Sequence, residues 1–253
     1  MFFYLGWWDF IPIPGFLLAL YAQFKLKALY AKYHDVPQSK GATGAEVAQA
    51  ILNHAGIPTV MVEPFRGEKA PPNVIQQKRD SEVSIGLCEG VLTDHYDPRN
   101  RVLRLSEANF RTSSLSAIGV AAHEAGHALQ HQEKYAPLEM RMAIVGATGF
   151  ATNSGWILFI LGFLFKSGLL LHIGILLYSA IIIFQLITLP VEFDASARAK
   201  RVLADLGFVN REEGEAIKKV LGAAALTYVA ALAVAILELL KMVVMANQSR
   251  DRD

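Results

Sequence analysis

Apolar residues along this chain fall into two regimes: long uncharged runs, and stretches where apolar and polar positions alternate with a helical or strand period. Met142 to Phe165 carries no charged side chain, and Ser167 to Val191 carries only the titratable His172. Each run is long enough to cross about 30 Å of hydrocarbon. Only Lys166-Ser167-Gly168 marks the join, so residues 142–191 predict a tight transmembrane helical hairpin. Val220 to Leu237 is a third uncharged run, ending near Glu238 and Lys241, and predicts a helix over 220–246. Phe2 to Phe24 is apolar apart from Asp9, has Trp7 and Trp8 at one end, and is interrupted by Pro12 and Pro14. With Lys25 and Lys27 following, residues 1–25 suit a short span or an interfacial anchor, and the span is the preferred reading. No basic leader or small-residue cleavage site precedes this run, so no removable signal peptide is expected.

The segment 26–141 has a different texture. Thr43 to Ala55 places Ala, Val, Ile and Leu at helical spacing and stops at Gly56, which predicts a helix with a glycine terminator. Thr59 to Glu63 is short and β-branched, a strand. Gly90-Val91-Leu92-Thr93 and Arg101 to Leu105 flank Asp97-Pro98-Arg99-Asn100, which reads as a hairpin and its turn. Alternation in the second strand sets Val102 and Arg104 on one side and Arg101, Leu103 and Leu105 on the other. Ser116 to Gln132 is proline-free and rich in helix formers, with Ala122, Ala125 and Ala128 leaving room for close packing. Pro190 closes the apolar hairpin and suits the first turn of a new helix, with acidic residues following at once.

The expected fold is therefore mainly α with a small β-hairpin or sheet (α+β), in an integral membrane protein with three to four transmembrane helices. Its segments are 1–25, 26–141, 142–191, 192–219 and 220–246, all serving one functional domain. Composition agrees: 53% of the residues are hydrophobic and 19% charged. A net charge of +1, with no basic patch interleaved with aromatics, speaks against a nucleic-acid partner. A single cysteine, Cys88, excludes an internal disulfide and a cysteine-rich zinc knuckle. Basic residues set an orientation. Lys25, Lys27 and Lys32 follow the first segment, Arg141 precedes the second, and Arg198, Lys200 and Arg201 follow the hairpin, while Lys166 lies at its far end. The positive-inside rule then puts 26–141 and 192–219 on the cytoplasmic side.

Candidate chemistry centres on His123-Glu124-Ala125-Gly126-His127. Spacing i, i+4 on a helix sets two imidazoles on one face about 40° apart, and Glu124 is placed to take a proton from a water at the metal. A catalytic zinc wants three protein ligands and an open position. His131 lies about 12 Å along the axis from His123, too far for the same ion. The longer pattern with a third histidine fails, because Gln130 stands at its glycine position and Glu133 at its histidine position. The third ligand is sought elsewhere, and Glu192 in Leu189-Pro190-Val191-Glu192-Phe193-Asp194-Ala195-Ser196-Ala197-Arg198-Ala199 is the best candidate. Glu192 and Ser196 share one helix face, as do Asp194 and Arg198, the latter two equally readable as a surface ion pair. Both halves of this site fall on the same side of the bilayer.

Three stretches, Gly90 to Arg99, Ala121 to Gln130 and Leu189 to Ala199, in that order, resemble the YugP-type neutral zinc metallopeptidases of membranes over most of the chain. The resemblance implies a membrane-embedded metallopeptidase of the gluzincin kind, with His123, His127 and Glu192 as Zn2+ ligands and Glu124 as general base. Related membrane gluzincins carry an aspartate a few residues after the ligand glutamate. Here Ser196 fills that slot and Asp194 comes earlier, so either could orient a zinc histidine.

In Asp94-His95-Tyr96-Asp97, His95 or Tyr96 could donate to the oxyanion of acyl transfer, with His95 slightly favoured. The segment reads equally as a capped turn. The preceding edge strand could hold an extended peptide by main-chain bonds. The expected partners are a peptide or protein substrate and the lipid bilayer, with the oligomeric state left open. A silent zinc-binding scaffold and a membrane ion or metal transporter are the competing readings. Glu124 speaks against the first, and the few polar groups of the hairpin (Asn153, His172, Gln185) against the second.

Overall fold

A computed structural model describes residues 6–61, 82–90 and 92–250 of the protein. The chain divides into two compact units. One comprises Met1–Lys25, Ala136–Pro190 and Ala224–Asp253, the other Leu26–Tyr135 and Val191–Ala223.

The first unit is helical. A short 3-10 turn, Trp7–Phe10, precedes α1 (Ile13–His34), which belongs to this unit up to Lys25. It also holds α5 (Ala136–Leu164), α6 (Gly168–Tyr178), the start of α7 (Ala180–Asp205) and the later part of α8 (Arg211–Arg250). Among the described residues three stretches are long and apolar enough to cross a membrane: Ala136–Leu164, Gly168–Asp205 and Arg211–Gln248. Large apolar side chains such as Phe150, Leu169 and Leu176 stand exposed on them.

Glycines let α5 and α6 approach closely. A Cβ at Gly155 would lie 2.7 Å from the Tyr178 amide nitrogen, and one at Gly174 2.7 Å from that of Phe159. The reversal between them uses Lys166 at φ +53°, and the Ser167 hydroxyl accepts from the Leu170 amide at the start of α6. Phe159, Leu171, Tyr178, Met242 and Ala246 form the buried cluster here, and an Asp9–Lys241 ion pair at 3.0 Å fastens the first turn to α8.

Lys25 and Lys27 follow the apolar run as read and lie inside α1, which continues to His34 and is not one of the three stretches named above. One expectation changes. Pro190 does not open a new helix. It sits inside α7, and the break falls instead at Ser179 between α6 and α7. An interior proline forfeits its bond to the carbonyl four residues back, here Leu186, and crowds that carbonyl, yet the helix continues through it to Asp205. Glu192 therefore belongs to an unbroken helix one half-turn beyond the proline.

The second unit holds the sheet. Its strands are β1 (Thr59–Met61), β2 (Val83–Cys88), β3 (His95–Asp97) and β4 (Val102–Ser106), in spatial order β1-β2-β4-β3. β1 pairs parallel with β2 and β2 with β4, while β3 runs antiparallel to β4 with Tyr96 opposite Leu103. β2 was not expected, although Val83, Ile85 and Leu87 alternate as a strand should. Of the strand expected over 59–63, Val62 and Glu63 lie outside the described residues. The first hairpin strand is displaced: Gly90, Leu92 and Thr93 are not strand (Val91 lies outside the described residues), and pairing begins at His95. The reason is the turn. The Asp97 carboxylate accepts from the Arg99 and Asn100 amides, and Arg101 takes φ +50°, so the reversal starts one residue later than the sequence suggests. In β4 Leu103 and Leu105 are fully buried and Val102 and Arg104 half-buried, as alternation requires.

Around the sheet lie α2 (Gly44–His54), α3 (Glu107–Arg111), α4 (Leu115–Gln132) and the adjoining parts of α7 and α8. Thr43 and Glu46 form a reciprocal capping box at the start of α2, and Gly56, at φ +69°, follows its end. Ile51, Leu52, Ile57, Ile85, Leu103, Leu105, Ile118, Leu203 and Ile217 are fully buried in one core. The decisive contact is between α4 and α7. A Cβ at Gly126 would stand 2.7 Å from the Ala195 carbonyl oxygen, so only glycine permits this crossing, and Ala122, Ala125, Ala195 and Ala199 of the two helices are buried. Since the opposing atom is backbone, Gly126→Ala should lower stability by about 1–3 kcal/mol through overpacking. A fall of several degrees in the melting temperature is expected, whereas Gly146→Ala, with open space around it, should melt like wild type.

Candidate metal centre

α4 begins at Ser114, whose hydroxyl accepts from the Ala117 amide, and then runs without a break for five turns. That regularity puts His123 and His127 on one face, with ring centroids 4.7 Å apart and the planes at 81°. α7 lays Glu192 against them. Its Oε2 is 3.3 Å from His123 Nε2 and 3.6 Å from His127 Nε2, and the carboxylate is almost wholly buried. One ligand-type atom from each of the three residues lies within 4.8 Å of the others.

This donor set suits a metal. At zinc–ligand distances of about 2.0–2.1 Å, tetrahedral neighbours sit roughly 3.4 Å apart, close to the separations found. Two imidazoles and one carboxylate also leave a fourth position for water or substrate. Burial by itself pushes the His127 imidazole down in pKa, but the Glu192 carboxylate, by hydrogen bond and charge, more than offsets this and holds it above the ordinary value. Glu192 and His127 are thus attracted to each other as well as adjacent.

The outer nitrogens of the two imidazoles have separate partners. His123 Nδ1 lies 3.1 Å from the Ser196 hydroxyl. His127 Nδ1 lies 2.9 Å from Gln130 Oε1, and Gln130 Nε2 donates to the Val191 carbonyl and to Asp194 Oδ2, each at 2.8 Å. Asp194 Oδ2 in turn accepts from Arg198 Nε at 2.6 Å, and Arg198 Nη1 meets Glu133 at 2.7 Å while its guanidinium lies over the Tyr135 ring. Ser196 and Asp194 both face the imidazoles, then, one directly and the other through Gln130. Gln130 and Glu133 were noted in the sequence only as departures from a longer motif. The signal available was spacing, since Gln130 follows His127 by three residues on the same helix face.

Glu124 Oε2 accepts from the main-chain amide of Tyr96 at 2.8 Å, which fixes the carboxylate against β3. Tyr96 is buried, and its hydroxyl is 2.9 Å from His131 Nδ1, so the strand is attached to α4 at two points. His95 is the next residue on the strand and its ring bonds elsewhere, to the Thr93 carbonyl and to Arg104, both on the exposed side. Asp94 accepts from the Ser106 amide and hydroxyl and from Asn109, whose Oδ1 accepts from Tyr30.

Burial pushes the Tyr96 phenol up to about 12, with Arg101 and Asp97 opposing each other, and burial with the Asp94 charge does the same for Tyr30. An acid whose folded pKa is raised contributes stability that is complete below the unfolded value near 10 and is lost as pH climbs towards 12. Chemical denaturation from pH 9 to 12 should therefore show falling stability, with a shallower fall in Tyr96→Phe.

With that geometry in hand, comparison with known proteins is informative. A family model described as "Putative neutral zinc metallopeptidase" matches residues 8–71 and 64–247. A relative from Bacillus subtilis (strain 168), described as "Putative membrane protease YugP", is 45% identical over 244 residues, covering 96% of this chain and 98% of the relative. No solved structure gives a significant match.

Proposed function

We propose, from the premise that this chain belongs to the neutral zinc metallopeptidase family, that it is a membrane-anchored zinc endopeptidase. In this reading His123, His127 and Glu192 hold the zinc and Glu124 is the general base. The observation that carries it is the convergence of two imidazole Nε2 atoms and one buried carboxylate, from helices far apart in sequence, beside a second carboxylate that belongs to no such cluster. Zinc, when bound, supplies a Lewis acid that polarises the scissile carbonyl and lowers the pKa of an attacking water towards about 7.

The chain's own groups do the rest. Glu124, held through Oε2 by the Tyr96 amide, keeps its other oxygen to take the water's proton and pass one to the leaving amine. The edge strand β3 lies against the same carboxylate, which supports binding of an extended peptide alongside it. Tyr96 and His95 are the candidates for stabilising the oxyanion. Tyr96 has the stronger support, since its backbone amide touches Glu124, while the His95 ring bonds to Thr93 and Arg104 on the exposed side. Asp194, Ser196 and Arg198 support the ligands from behind.

The three apolar helices and the membrane protease among the relatives support an integral membrane location, and the basic residues support a cytoplasmic active site. Segments 26–141 and 192–219 are then the catalytic region and 1–25, 142–191 and 220–246 the anchors.

Glu124→Gln should keep one zinc per chain and lose turnover of an unfolded protein substrate by 1000-fold or so, a barrier rise of about 4 kcal/mol. His123→Ala, His127→Ala and Glu192→Ala should each lose the metal. Full zinc content in Glu192→Ala would transfer the ligand role to Asp194. For orientation, with Cys88→Ser as background, Lys40→Cys should react with an impermeant thiol reagent only after the cells are opened. Lys166→Cys should react in intact cells; the reverse pattern would place the site outside.

A further inference from the structure

The two imidazoles of the site are held by partners of different kinds. Ser196 Oγ, beside His123 Nδ1, can donate or accept, so it leaves the tautomer of that ring free. Gln130 cannot. Its Nε2 faces the Val191 carbonyl and the Asp194 carboxylate, which only accept, and the side chain is fully buried. Turning the amide over would aim an oxygen at two acceptors and forfeit both bonds. Oε1 is therefore fixed toward His127, whose Nδ1 must carry a proton to bond with it, so that Nε2, the nitrogen beside Glu192, is the one left for a metal.

We infer that Gln130 is the positioning residue that commits His127 to its metal-binding tautomer before metal arrives, with Asp194 and Arg198 fixing the polarity of the amide. His123 is left adaptable against a hydroxyl. The inference rests on the reading of His127 as a zinc ligand. It reaches further, because an amide here stands between imidazole and carboxylate, so that Asp194 acts on the ligand at one remove. Loss of such a partner usually costs a metal site 10- to 100-fold in affinity.

Zinc affinity of the full chain in detergent, measured by competition with a chromophoric chelator, tests it alongside melting of the metal-free protein. Gln130→Met, of similar shape without the amide, should weaken zinc binding by about 10- to 100-fold, and Ser196→Ala by distinctly less. Gln130→Glu should also weaken it, since its second oxygen faces Val191 and Asp194. Adding Asp194→Asn, which turns that carboxylate into a donor, should recover most of the loss. This pair keeps the question decidable if Gln130→Met does not fold, since both variants preserve polar groups throughout. Wild-type affinity in Gln130→Met, a loss in Ser196→Ala as large as in Gln130→Met, or a double variant no better than Gln130→Glu would each overturn the inference. If His127→Ala binds zinc as tightly as wild type, the ligand reading itself falls and this inference with it.

Discussion

The contact between Gly126 and the Ala195 carbonyl is the constraint on which the metal centre depends. A helix bearing two imidazoles presents half of a metal site, and the other half must come from a helix close enough for a short glutamate side chain to reach. Gly126 makes that distance available at the Ala195 backbone, and Ala122 and Ala125 of α4 and Ala195 and Ala199 of α7 are all buried small side chains. With the axes so near, Glu192 meets both Nε2 atoms without leaving its helix, and Gln130 reaches the Val191 carbonyl across the same gap. Each side chain at the centre is thus placed by backbone packing first and refined by hydrogen bonds second.

The sheet contributes through its edge. Because Tyr96 pairs with Leu103 in register, its amide is turned away from β4 and is available to Glu124. A buried carboxylate without such a donor would carry an appreciable desolvation cost. The hydroxyl bond to His131 holds the same residue at its far end, so the strand cannot shift relative to Glu124 without breaking two contacts.

Much of this was legible in the sequence because it follows from period and spacing. The helical face of His123 and His127, the glycine stop after α2, the apolar runs and the alternation in β4 are all local properties. What escaped was set by tertiary context. β2 is a run of strand formers whose role depends on β1 and β4 on either side of it. Pro190 gave a conventional signal for a helix start, but one missing amide was too small a defect to end α7. The first hairpin strand lies closer to the turn than expected, with Asp97 ending the ladder opposite Val102 while its carboxylate bonds the turn amides. For Gln130 the local spacing to His127 was the one signal, and the partners of its amide nitrogen, 61 and 64 positions away, could not be read from α4.

Those separations bear on how the protein is made. The links between α4 and α7 span 61 to 73 positions, so they belong to the slow, non-local part of folding. A chain that ended with the apolar hairpin, before Glu192, would carry both imidazoles and Glu124 but no carboxylate to close the cluster, so the metal-binding group is completed only when α7 has been made past Glu192 and packed against α4.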